Sequence, residues 1–177
     1  MRIISISNQK GGVGKTTTTV NLAASLAVNK KKVLLIDLDP QGNATSGAGL
    51  NKAVLSSSIY DVLIEQKTIK DVVLHSEDGL FDVAPANQSL AGAEIELVDI
   101  KNREFILKKA IETLALNYDF ILIDCPPALN LLTVNALVAS NSVLIPMQCE
   151  YYALEGLSDL VNTIRRVKKN LNPEIEI

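Results

Sequence analysis

Residues 8–19 read NQKGGVGKTTTT, and what flanks this stretch decides the fold. The short apolar run RIISIS (2–7) precedes it, and a stretch of helical character, expected over 15–29, follows it. A glycine-rich turn between a strand and a helix is the setting that the pattern G-x-x-x-x-G-K-[ST] requires. One place departs from the pattern. Gln9 stands where the first glycine belongs, and a second lysine, Lys10, precedes Lys15.

Glycines at 11, 12 and 14 let a backbone turn tightly and bring its N–H groups against phosphate oxygens. The helix that opens near Lys15 adds its positive end to the same place. The expected cradle is Gly11, Gly12, Val13, Gly14, Lys15, Thr16 and Thr17. In it Lys15 reaches the β- and γ-phosphates, the Thr16 hydroxyl ligates Mg²⁺, and Thr17 donates to the α-phosphate. Successive threonines are a poor start for a helix on propensity alone. A bound phosphate accounts for the first two hydroxyls, whereas a glycine-rich turn without a ligand leaves them unexplained.

Working outward, DFILID (119–124) and KVLLID (32–37) end in acids. Asp124 at the tip of the first is placed to hold a Mg²⁺-bound water, and Asp37 and Asp39 end the second. Any one of these aspartates could simply cap a helix or face solvent. Two such strand ends together fit better at the ligand crevice of a parallel sheet. Pro40, Gln41, Gly42 and Asn43 then break regular structure, and a loop is expected to run to about Leu50, able to change order with a γ-phosphate. Asp39 at its root is positioned to orient an attacking water.

Further strands are expected at LFDVAP (80–85) and SVLIPM (142–147), and helices at 88–98, 102–116, 129–139 and 153–170. Several strands are unbroken Ile/Leu/Val runs, as strands covered on both faces should be. The βαβα rhythm implies an α/β, three-layer fold, a mostly parallel sheet with helices on both faces. The ending NLNPEIEI resembles the start of another strand, so the expectation is a single domain over 1–177 that is cut short there; a short edge strand is the other reading.

Composition sets bounds. The 177 residues suit one domain, and 47% hydrophobic with 21% charged residues is ordinary for a soluble protein. Tryptophan is absent and aromatics are 4%, so aliphatic residues must fill the core. With a net charge of −3, nucleic-acid binding would need a local basic patch. Arg165, Arg166, Lys168 and Lys169 form one such cluster, most simply a solvated helix face. Cys125 and Cys149 adjoin apolar runs at no metal or redox spacing and read as buried thiols in a reducing cytosol. Neither a cleavable leader nor a membrane span is legible, and a cytoplasmic location is expected. His75, in the polar stretch LHSEDG, is read as loop without chemistry.

KGGVGKTT with its extra lysine, DLDPQGNAT, LIDCPPALNLLTVNAL and PMQCEYYALEGL occur in that order. Together they resemble the deviant-Walker ATPases of the ParA/Soj partition family, over essentially the whole chain. The first motif alone marks the broader class that includes MinD and the nitrogenase iron protein; DPQGN with EYYALEG is narrower. The resemblance implies ATP and Mg²⁺ as ligands and an ATP-dependent sandwich dimer in which Lys10 touches the partner's phosphates. It also implies a ParB-like protein that stimulates turnover, non-specific DNA as a partner of the full-length family member, and no membrane. Catalytic roles fall on Lys10, Lys15 and Asp39, and metal-binding roles on Thr16 and Asp124. Gly12 would lie where subunits approach, Asn130, Thr133 and Asn135 in a second switch, and Glu150 to Gly156 near the dimer interface. Tyr151 and Tyr152 could equally be packing residues.

Members of that family are longer. The additional part supplies the adenine-contacting loop and most DNA-binding basic residues, and neither is legible here, so DNA binding would place the chain on the nucleoid only if retained. Two alternatives stay open: a MinD-like membrane-cycling ATPase, which needs a C-terminal amphipathic basic helix, and a non-catalytic nucleotide-binding fragment. An iron–sulfur variant would need ligand cysteines at the dimer axis, which Cys125 and Cys149 do not obviously supply.

Overall fold

The computed structural model describes residues 1–114, 118–148 and 155–177. Cys149 and most of the 150–156 segment lie outside these residues, as do the last part of the helix expected at 102–116 and the first of that at 153–170. Six strands form one sheet: β1 (Arg2–Ile6), β2 (Val33–Asp37), β3 (Leu74–Ser76), β4 (Phe81–Ala84), β5 (Phe120–Asp124) and β6 (Ser142–Leu144). Their order is β3-β4-β2-β5-β1-β6. All neighbours run parallel except β3 and β4. The mostly parallel α/β architecture expected from the strand–helix rhythm is therefore present.

The unbroken aliphatic runs have a plain cause. Leu34, Ile36, Ile121 and Ile123 pack into a core on one face, and Val33, Leu35, Val83 and Leu122 into a core on the other. Every residue of β2 is buried. Helix α1 (Lys15–Val28) covers the second face through Ala23, with Val20 and Ala27 packed alongside. Helices α6 (Ile106–Glu112) and α7 (Leu131–Ala139) cover the first, through Leu107, Ile111, Leu132 and Ala136. Helix α8 (Glu155–Asn170) buries Leu160, Ile164 and Val167 against Leu137, Val138 and Val143. This spacing of four and three leaves Arg165, Arg166 and Lys169 facing solvent.

Several expectations need correcting. Residues 43–47 are not loop but a short helix, α2 (Asn43–Gly47), because Ala44 and Thr45 are drawn fully into the core. Two more short helices were not anticipated, α3 (Ile59–Leu63) and α4 (Ile69–Val72), each opened by a capping box, Ser58 with Asp61 and Thr68 with Asp71. Helix α5 (Leu90–Glu96) is shorter than expected and passes into a 3₁₀ turn, Leu97–Asp99. The helix expected from 102 opens as a 3₁₀ turn, Arg103–Phe105, before α6. Strand β6 ends at Leu144, three residues early, where Pro146 cannot donate to a ladder. His75 lies not in a loop but on β3, its Nδ1 2.7 Å from Asp82 Oδ1 across the antiparallel pair. At the far edge Glu176 makes an isolated parallel bridge to Ser142, with the Val143 N–H donating to the Glu176 carbonyl at 2.8 Å. The apolar/acidic alternation of NLNPEIEI is thus strand-like at that point.

Candidate nucleotide site

Parallel pairing brings the site together before any side chain is considered. Ile6, Asp124 and Asp37 stand side by side in register at the ends of β1, β5 and β2. The chain leaving β1 passes through Ser7 and Asn8 into the glycine-rich turn. Asn8, fully buried, holds it from below: its Oδ1 accepts the Lys10 N–H at 3.0 Å and its Nδ2 donates to the Pro146 carbonyl at 2.8 Å. Gln148 Nε2 donates to the Gly12 carbonyl at 3.1 Å, a second tie from the segment after β6. The turn enters α1 through Gly14 at φ 88°, a left-handed conformation that costs glycine little. A Cβ built on Gly11 or Gly12 meets nothing within 4 Å, so the outer side of the loop is open.

Inside this turn Val13 is buried and Lys15 is 7% exposed. The Lys15 ammonium donates to the Lys10 carbonyl at 3.2 Å, folded across the loop. Burial lowers its pKa, and the charges of Asp124 and Asp39 act against that. Lys10 is half-buried. Thr16 Oγ1 donates to Asp124 Oδ2 at 2.7 Å. Thr17 is exposed at the same helix end. The structure thus gathers Lys10, Lys15, Thr16, Asp39 and Asp124 around one turn.

Thr19, which the motif did not single out, belongs to the same cluster. Its Oγ1 lies 2.8 Å from Asp124 Oδ1 and 2.9 Å from the Lys15 carbonyl. Both carboxylate oxygens of Asp124 are thereby occupied by hydroxyls of the first two turns of α1. The available signal was the fourth threonine of TTTT, three residues after Thr16 and so on the same helix face; its burial in the structure explains why its hydroxyl needs a partner.

Asp39 is half-buried, and its carboxylate Oδ1 accepts the Gln41 N–H at 2.9 Å. Gly42, at φ 61°, closes this turn by donating its N–H to the Asp39 carbonyl at 2.8 Å. A Cβ on Gly42 would lie 2.7 Å from the Ala86 carbonyl oxygen. Gly42→Ala should therefore lower stability by about 1–3 kcal/mol, read as a melting temperature roughly 2–10 °C lower. An unchanged melting curve would mean that the 39–42 turn relaxes without cost.

Asp37 is a different kind of acid from Asp39. It is fully buried and accepts hydrogen bonds from Thr45 and from the Asp39 N–H. Burial, with the Asp124 charge beside it, pushes its carboxyl up to about 7. Burial likewise raises Asp124 to about 6, against the pull of the Thr16 and Thr19 hydroxyls. Both groups start from 3.8, so the folded chain holds more protons than the unfolded one between 3.8 and about 7. Stability is then fully present below the unfolded value and is lost as pH rises through the folded values. The nucleotide-free protein should melt higher at pH 5 than at pH 7.5, and Asp37→Asn should flatten that slope; a stability that rises over this interval would contradict the assignment.

The other residues expected near a second switch serve partly as anchors. Asn130 caps α7 by accepting the Thr133 N–H at 3.1 Å, and its Nδ2 donates to Glu94. Fully buried Asn135 donates to the Arg103 and Leu131 carbonyls and accepts the Leu107 N–H, which fixes α6 against α7. Cys125 is buried and its thiol is pushed up by burial, which disfavours a thiolate ligand. Lys168 donates to the Ile175 carbonyl at 2.8 Å, so one member of the basic cluster is used in holding the C-terminal segment.

The donor set fits a nucleoside triphosphate with a divalent cation. Among the described residues no group of three or more His, Cys, Asp or Glu side chains could hold a metal. A cation at Thr16 and Asp124 would accordingly need ligand oxygens as well, which a phosphate chain in the glycine turn offers.

Comparison with known proteins agrees with this geometry. The family model described as an AAA domain matches residues 1–177. The sporulation initiation inhibitor protein Soj of Bacillus subtilis is 58% identical over 176 residues, covering 99% of this chain and 70% of the relative. The chromosome partitioning protein ParA of Myxococcus xanthus is 56% identical over 176 residues, covering 99% of this chain and 62% of the relative. Among solved structures, cobyrinic acid a,c-diamide synthase from Mycobacterium smegmatis with bound ATP analogue and magnesium superposes with a TM-score of 0.96. It is 39% identical, over 99% of this chain and 71% of that one. The chain belongs to this AAA-domain family and, within it, to the ParA/Soj partitioning ATPases.

Proposed function

We propose that the chain binds Mg–ATP in the 8–19 turn, pairs with a second copy in an ATP-dependent sandwich dimer, and hydrolyses the nucleotide to release the pair. The observation that carries this reading is the convergence of a buried lysine, Lys15, and the Thr16–Asp124 pair on one turn that a second lysine opens. The similarity to Soj, over nearly the whole chain, supports partition over other uses. Fold alone does not choose, since the same fold serves the Mycobacterium smegmatis synthase.

In this reading Gly11 to Gly14 present backbone N–H groups to phosphate oxygens, and Lys15 leaves the Lys10 carbonyl to neutralise the β- and γ-phosphates. Thr16 and Asp124 would hold Mg²⁺, which supplies neutralisation of the charge that develops on the phosphoryl oxygens. Asp39 orients the attacking water, and Lys10 serves the partner's phosphates. The wider role is the movement of chromosomal or plasmid DNA in the cytoplasm, with a ParB-like protein as stimulator.

ATP affinity and turnover, measured with and without Mg²⁺, test the enzyme reading. Affinity without turnover at any protein concentration would leave a nucleotide-binding module only. Retention on non-specific DNA against liposome flotation then separates partition from a membrane cycle. Among the described residues no helix is long and apolar enough to cross a membrane.

A further inference from the structure

The mechanism above leaves one buried acid unused. Asp37 is fully buried at the tip of β2, and its carboxylate is engaged by the Asp39 N–H and by Thr45. One oxygen, Oδ1, accepts the Asp39 N–H at 3.1 Å. The other, Oδ2, accepts both the Thr45 N–H and the Thr45 hydroxyl, each at 2.8 Å. A single carboxylate therefore clasps the two ends of the segment that carries Asp39. The Thr45 hydroxyl, while donating to Asp37, accepts the Ala86 N–H at 2.9 Å. This extends the clasp to the chain that leaves β4. Gly42 lies against the Ala86 carbonyl, so Ala86 meets the segment twice. Asp37, Thr45 and Ala86 are each fully buried.

We infer that Asp37 and Thr45 are positioning residues, a buried clasp that fixes where the Asp39 carboxylate stands before nucleotide arrives. The inference rests on the ATPase reading above for its consequence, though not for its geometry. Water has little access to the Asp37–Thr45–Ala86 contacts, because these three residues are fully buried. Small displacements matter here: misplacing a reacting group by about 1 Å costs roughly 10²-fold in rate.

Thr45→Val keeps the shape and removes the hydroxyl that both donates and accepts; Thr45→Ser keeps the hydroxyl. In the full chain, Thr45→Val should lower kcat for ATP by roughly 10- to 100-fold while the affinity for Mg–ATP stays within about twofold. Thr45→Ser should restore kcat. A Thr45→Val protein with unaltered kcat overturns the inference, and so does one that loses affinity and kcat together, or one that serine does not rescue. Hydrogen exchange in the unaltered, nucleotide-free protein gives a reading that does not depend on the variant's folding. The amides of Asp39, Thr45 and Ala86 should exchange at least about tenfold more slowly than that of exposed Asn43. Rapid exchange at those amides overturns the clasp. A chain that hydrolyses no ATP but protects them counts against the ATPase reading and leaves the clasp standing.

Discussion

Alanine at position 10 is expected to abolish ATP-dependent pairing and to reduce turnover by roughly 10³- to 10⁵-fold, the effect of removing a trans-acting cation in other nucleotide hydrolases. Nucleotide binding by the single chain should largely survive. The structure separates the two lysines in a way that makes this split specific. Lys15 is buried within the turn, whereas Lys10 sits half-buried at its opening beside exposed Gly11 and Gly12. What Lys10 contributes to the turn through its backbone, the N–H to Asn8 and the carbonyl to Lys15, an alanine contributes equally. The loss should fall on the side chain alone. Sedimentation with and without ATP is the measurement, together with binding of a fluorescent nucleotide. If the alanine variant sediments with ATP as the parent does, the trans role is gone.

Asp39→Ala should bind ATP, lose hydrolysis by roughly 10²- to 10⁴-fold, the usual worth of a positioned acid or base, and accumulate as a dimer. The substitution removes one acceptor, that of the Gln41 N–H, from a half-buried turn. The Asp39 backbone keeps its bonds to Asp37 and Gly42. The fold therefore has little reason to fail, and a stable dimer with trapped nucleotide is the informative outcome. Phosphate release at the parent's rate would end the assignment of Asp39 to the chemistry.

Much of this site was legible because its signals are local. The glycine turn, the lysines and the strand-end acids lie within short stretches whose spacing carries their geometry, and β2 and β5 announce themselves by unbroken aliphatic runs. What was missed depends on partners distant in sequence. Strand β3 is only Leu74–Ser76, at a sheet edge, and it is a strand because β4 pairs with it. No alternation can show in so short a piece. Thr45 read as part of a loop because its bonds reach back to Asp37 and forward to Ala86. Helices α3 and α4 were within reach, since Ser58 with Asp61 and Thr68 with Asp71 are capping boxes visible in the letters. Glu94, which meets Asn130 from α5, had no signal at all.

Thr16 and Thr19, one helical turn apart, both fasten to Asp124. Helix α1 is consequently fastened through its first two turns to β5, in the middle of the sheet. If the proposed cycle holds, its ATP-bound and ADP-bound forms should share this anchored helix end, because moving it would break two bonds to the central strand at once.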